Sequence, residues 1–228
     1  MPEWWTYALS DFLMFSPRVY YRMFELHNGA LWPAQLAAMG FGIVILGALL
    51  RPEGALPRVG AAMLGGLWVW VAWAFFWDRY ATINWAAAYV APAFALEGLS
   101  LIWAGAIQGQ FRAPLRRDLA AITGIAMFAA AVTAYPLLAP LMQRPWVAAE
   151  VFGIAPDPTA FATLALLAVV DAPRRWLLMA IPLAWCTISA ATLWTLGAAT
   201  DTALVLAAAL AAIAIAIAGS RRPVSASP

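Results

Sequence analysis

Residues 201–219 read DTALVLAAALAAIAIAIAG, a run whose one ionisable side chain, Asp201, stands at its start. A soluble amphipathic helix keeps a polar face, and this run has none. About 20 apolar residues rising 1.5 Å each cross the roughly 30 Å hydrocarbon core of a bilayer, so the stretch reads as a transmembrane helix. Working outward, comparable apolar windows fall at about 29–50, 58–77, 82–107, 119–141, 151–171 and 176–197. With 65% hydrophobic and 11% charged residues, a chain of 228 residues lacks the polar surface to coat a water-soluble globule. The expected fold class is all-α: a polytopic transmembrane helical bundle of about seven spans, with an N-terminal interfacial amphipathic helix. The organisation read from the chain is an interfacial segment at 1–28, the bundle at 29–219 and a short polar cytoplasmic tail at 220–228.

The fifth window is the weak one. It contains Pro156-Asp157-Pro158-Thr159, so its continuous helix begins with Asp157 as N-cap and Pro158 as first helical residue and is short for a span. Charge provides a test, because basic residues collect in cytoplasmic loops. With seven crossings, Arg51, Arg58, Arg112, Arg116, Arg117, Arg174, Arg175, Arg221 and Arg222 fall on one side, and Arg18, Arg22, Arg79 and Arg144 on the other. A re-entrant fifth segment would reverse that bias. The expectation is a multi-pass protein of a bacterial inner membrane, N-terminus out and C-terminus cytoplasmic. The acidic N-terminus, with Glu3 and Asp11, does not resemble a signal peptide and is read as retained.

Before the first span, Trp4, Trp5, Tyr7, Phe12, Phe15, Tyr20, Tyr21 and Phe24 interleave with Asp11, Arg18, Arg22 and Glu25, a mixture suited to the lipid interface. Ser16-Pro17 supplies an N-cap and a first-turn proline for a short helix running towards His27. Most of the 13 tryptophans fall near span ends, where indole anchors at the headgroups; Trp68, Trp70 and Trp73 sit deeper, to fill a helix interface or line a cavity.

Several functions are excluded. All 13 basic residues are arginine, so lysine Schiff-base chemistry has no residue to act on, and no basic domain is present for nucleic acid. One cysteine, Cys186, forbids an internal disulfide, and one histidine, His27, forbids bis-histidine haem. No cofactor is expected. With no phosphate-binding glycine motif, zinc signature or nucleophile elbow, the chain is read as not an enzyme.

The candidate polar or ligand site comprises Glu97, Ser100, Asn28, Gln35, Asn84, Tyr135 and Asp157. Glu97 lies in the middle of the third window, where an ionised carboxylate costs about 2.5–3.5 kcal/mol, so it should face the bundle interior with Ser100 one turn on. It is read either as a proton- or cation-coupling group or as a neutral acid tying two helices together. Asn28 and Gln35 flank Trp32-Pro33 at the opening of the first span, where amides can serve backbone groups freed by proline; His27 stands beside them. Tyr135-Pro136, Pro140, Pro145 and the Pro156-Pro158 stretch roughen one face, to which Asp78, Arg79 and Asn84 add polar groups. Cys186, Thr187 and Ser189 are read as backbone-bonding groups, and Ala61/Gly65 and Ala62/Gly66 as small faces for close packing.

His27-Asn28 with Trp32-Pro33-Ala34-Gln35, Ile83-Asn84-Trp85-Ala86-Ala87, Tyr135-Pro136, Gly153 with Pro156-Asp157-Pro158-Thr159, Pro182 with Trp185, and Asp201 together resemble the domain-of-unknown-function family 6064 of bacterial membrane proteins. The resemblance implies the multi-span fold and no activity. The leading expectation is a non-catalytic accessory or small-molecule-binding component of a membrane assembly. Its partners would be the lipid bilayer and other membrane subunits or further copies of itself, with no nucleic acid. The alternative is a secondary transporter coupled through Glu97.

Overall fold

A computed structural model describes residues 15–112 and 118–220. Within these residues it is an all-α bundle, whose one extended pairing is an isolated antiparallel bridge between Arg112 and Asp171. The tryptophans at 4 and 5, the arginines at 116, 117, 221 and 222, and the tail from 221 lie outside the described residues.

Helix α1, Pro17–Leu31, starts where the sequence places it: Ser16 accepts from the Val19 amide, and Pro17 opens the first turn. Tyr20, Met23, Phe24, His27 and Asn28 recur at helical spacing and face inward, leaving Arg18, Arg22 and Leu26 outside. A cis Trp32–Pro33 peptide ends α1, and the chain turns by 88° into α2, Ala34–Leu50. An α1 crossing the axis of α2 has the attitude of an interfacial helix beside a span.

Helix α3, Leu56–Thr82, and helix α4, Ala87–Ile107, pack antiparallel and closely. Gly65 and Gly98 make this possible, because a Cβ on Gly98 would stand 2.5 Å from the Gly65 carbonyl oxygen. Ala61 approaches Gly105 in the same way, so Ala61/Gly65 is a buried packing face, whereas Ala62/Gly66 points outward. Each helix relaxes into a π-helical turn near its C-terminal end, Ala72–Trp77 in α3 and Ile102–Ile107 in α4. After α5, Leu119–Thr133, capped by the Asp118 side chain, the chain bends by 54° into α6, Tyr135–Leu141. Then follow α7, Pro156–Val169, α8, Arg175–Thr195, and α9, Ala199–Ser220.

Four helices, α3, α4, α8 and α9, are each long and apolar enough to cross a membrane, and α1/α2 and α5/α6 make six if each bent pair counts as one span. The seventh expected span is different in kind. Its helix has 14 residues, about 21 Å against the roughly 30 Å of hydrocarbon. Its N-cap is Ala155, with Pro156 at the first helical position, which corrects the expected cap at Asp157 by two residues. Every residue from 151 to 168 is buried, so α7 is enclosed by the other helices and faces no lipid.

The segment nevertheless runs from one end of the bundle to the other. Before α7, Val147 and Ala149 meet Asn28 at the α1 end; after it, Asp171 pairs with Arg112 beyond the end of α4. Irregular backbone covers the first part of this path and helix the second. Such backbone survives at membrane depth only inside protein. Gly153 makes the turn between the two, at φ +73° and against Leu67 and Ala38.

The sorting of arginines between the ends is visible in contacts. Arg58 lies against Gly109, Arg112 pairs with Asp171, and Arg175 donates to the Ala216 carbonyl, all at the end away from α1. Exposed Trp32, Trp77, Trp85, Trp146 and Trp194 ring the α1 end, and Trp103 and Trp176 the other. Of the deeper tryptophans, Trp68 is wholly buried, whereas Trp73 faces outward.

Candidate functional site

The polar groups of the interior gather around the N-terminal half of α7. Proline at 156 and 158 removes two of the amide donors that a helix start would leave unmet. Thr159 ties the preceding turn to the helix: its hydroxyl accepts from the Gly153 amide at 2.8 Å and donates to the Ala155 carbonyl at 2.7 Å. One turn on, Thr163 donates to the Thr159 carbonyl and accepts from Trp68 Nε1 at 2.7 Å, which fixes α7 to α3.

Asp157 sits in the first turn, where a negative charge opposes the positive end of the helix dipole. Its two oxygens accept from two residues of α8, Oδ1 from Trp185 Nε1 and Oδ2 from Ser189 Oγ, each at 2.7 Å. The carboxylate is held as a fixed acceptor binding α8 to α7. Trp185 in turn packs edge-on against Phe76 and Phe94, so α3 and α4 brace the same point.

Towards the α1 end, a narrow cleft with space on the order of one water lies among Tyr135, Arg144, Glu150 and Asp201. Arg144 Nη2 pairs with Asp201 Oδ1 at 3.1 Å and its guanidinium lies 4.5 Å from the centre of the Tyr21 ring. Tyr135 stacks edge-on against Phe161 of α7. Glu150 Oε2 is buried without a hydrogen-bond partner. Desolvation, with the nearby Asp157 carboxylate, pushes the Glu150 carboxyl well above its ordinary 4.5, and Arg144 opposes the shift. Two carboxyl groups, Glu150 and Asp201, thus face one guanidinium.

Asn28 and Gln35 act together and structurally. Asn28 Nδ2 donates to the Val147 and Ala149 carbonyls, both at 2.8 Å, and Gln35 Nε2 donates to the Asn28 carbonyl at 2.9 Å. His27 Nε2 lies 3.3 Å from the Ile154 carbonyl, which can only accept, so that nitrogen carries the proton. These residues pin the irregular segment before α7 to α1. Asn84 accepts from the Ala86 amide and shapes the turn before α4. Glu97 is 1% exposed on α4 with Oε1 lacking a partner, and Ser100 is half-buried one turn on. Of the expected site residues, the structure therefore joins Asn28 with Gln35, sets Tyr135 in the Arg144 cleft and Asp157 against α8, and leaves Glu97 apart from all of these.

Sequence reading missed Glu150 and undervalued Arg144, Ser189 and Asp201. Glu150 carried a signal, as the one ionisable residue in the apolar stretch from 145 to 156. No group of three histidine, cysteine, aspartate or glutamate residues suited to a metal ion occurs among the described residues.

A bundle with apolar crossing helices around an enclosed short helix defines an integral-membrane helical protein. Residues 17–225 match a family of unknown function (DUF6064), and the chain belongs to that family. No curated protein and no solved structure matches it.

Proposed function

We propose that the chain is a non-catalytic component of a bacterial inner-membrane assembly that binds a small monovalent cation at the α1 end of the bundle, with N-terminus out and C-terminus cytoplasmic. The observation that carries the reading is the water-sized cleft in which Glu150 and Asp201 face one guanidinium. Acids outnumber the cation there, and the unpartnered Glu150 oxygen is an acceptor without a donor. Asp157 is no direct ligand in this reading, because both its oxygens are already engaged by α8.

Native mass spectrometry of the protein released directly from its own membrane tests the assembly. Added protein mass in a fixed ratio is expected; a bare chain overturns the accessory role. For the ligand, ammonium and sodium chloride are titrated against thermal unfolding at constant ionic strength, where ligand at 100 times its Kd stabilises by about 2.7 kcal/mol. A rise for wild type that vanishes in Glu150→Gln supports the cleft. Equal rises in both proteins overturn it.

A second reading, a secondary transporter coupled through Glu97, is favoured by the burial of that carboxyl with an unpartnered oxygen inside a crossing helix. It requires pH-dependent solute flux in liposomes containing this chain alone, abolished by Glu97→Gln. Flux that is absent, or unchanged in the variant, removes it.

A further inference from the structure

A second polar feature lies on the outside of the α1 end. Between α1 and residues 79–83 runs an open groove of about 640 Å³, within the size range of ligand sites. Arg18 and Arg22 line it from one side, four residues apart and hence on one helix face, and Arg79 lines it from the other. These are three of the four arginines that the chain carries at this end; the fourth, Arg144, is bonded to Asp201. Arg22 is paired with Glu25, whereas Arg18 and Arg79 have no ion pair among the described residues. Arg79 Nε is moreover buried without an acceptor. Three guanidinium groups against one carboxylate leave the groove positive.

Its other walls are apolar. Met23, Leu26 and Ile83 contribute, and Val19 and Leu26 stand 41% and 48% exposed beside the arginines. Because α1 lies across the axis of α2, at the end ringed by exposed tryptophans, the groove sits at headgroup level. Cationic forks beside exposed aliphatic side chains at that depth match an amphiphile with a phosphate head and apolar tails.

We infer that the groove between α1 and residues 79–83 seats the phosphate of an anionic phospholipid, with Arg18 and Arg79 as its donors and Val19 and Leu26 against its chains. The protein is purified in gentle detergent with equal amounts of phosphatidylglycerol and phosphatidylcholine, and retained lipid is counted by native mass spectrometry. Wild type is expected to hold the anionic lipid about tenfold over the zwitterionic one, a preference expected from juxtamembrane arginines. Arg18→Gln/Arg79→Gln should reduce that ratio to about one, Arg51→Gln at the opposite end should keep it, and 100 mM inorganic phosphate should not displace the lipid. Arg18 is exposed, so the single Arg18→Gln variant, expected to lose part of the preference, serves if the double variant fails to fold.

An equal ratio in wild type, or an unchanged ratio in the folded Arg18→Gln or double variant, overturns the inference. Displacement by phosphate would make this a site for free anions. A preference emerging only after deletion of residues 2–14 would give the groove to the chain's own Glu3 and Asp11. A preference that follows dimer formation would give it to a second copy. Each of these three results also overturns it.

Discussion

Replacing Asp157 by alanine should cost this bundle more than any other single polar deletion inside it. The substitution strands two donors, Trp185 Nε1–H and Ser189 Oγ–H, that now meet the carboxylate at 2.7 Å in the enclosed interior. A buried donor left unpaired costs about 1–3 kcal/mol in soluble proteins, whereas side-chain hydrogen bonds between membrane helices average about 0.6 kcal/mol and reach about 1.7. The membrane values apply here, and two bonds give a loss of about 1–3 kcal/mol. Asp157→Asn keeps one acceptor oxygen and should lose less than half as much. The assay is reversible unfolding in mixed micelles with increasing dodecyl sulfate, followed by tryptophan fluorescence. Asp157→Ala/Trp185→Phe provides the internal check, because removing the stranded indole donor should recover part of the loss. Asp157→Ala within 0.3 kcal/mol of wild type, or no recovery in the double variant, would refute the view that this carboxylate ties α8 to α7.

Two further outcomes follow from the packing and the charges. Gly98→Ala should lower stability by about 1–3 kcal/mol in the same assay, since its Cβ meets the Gly65 carbonyl, whereas Gly66→Ala, which meets nothing within 4 Å, should be neutral; equal effects would contradict the close α3–α4 crossing. A carboxyl whose pKa is raised on folding binds more protons in the folded state than in the unfolded one, so its contribution is greatest at low pH and is lost as pH rises above its ordinary 4.5. Glu150→Gln should therefore flatten the decline of stability between pH 4.5 and neutrality, and an unchanged pH profile would contradict a desolvated Glu150.

Much of the bundle was legible because hydrophobic length and helix punctuation are local. Ser16-Pro17 started α1 as read, and the windows at 176–197 and 201–219 became helices at Arg175–Thr195 and Ala199–Ser220. Tertiary placement was less legible. Residues 151–171 are as apolar as a lipid-facing span, and composition does not say whether the surrounding medium is lipid or protein; only the short helix after Pro156 hinted at enclosure. At the site, Asp157 was identifiable as an acid in a helix start, but its partners lie 28 and 32 residues away, in α8. Asn28 and Gln35 were read as groups serving nearby backbone, and Gln35 does so; Asn28 serves carbonyls 119 and 121 residues distant, beyond any local pattern.

The enclosure of α7 bears on how the chain enters its membrane. A nascent chain that has emerged only as far as Val169 carries a helix too short to hold a place in lipid by itself, and its Asp157 still lacks Trp185 and Ser189, which have not been synthesised. Until α8 and α9 arrive, one side of that helix has no protein against it. Helices α8 and α9 therefore complete the middle of the protein, and a truncation after residue 171 would uncover one side of α7 while leaving in place the helices that precede it.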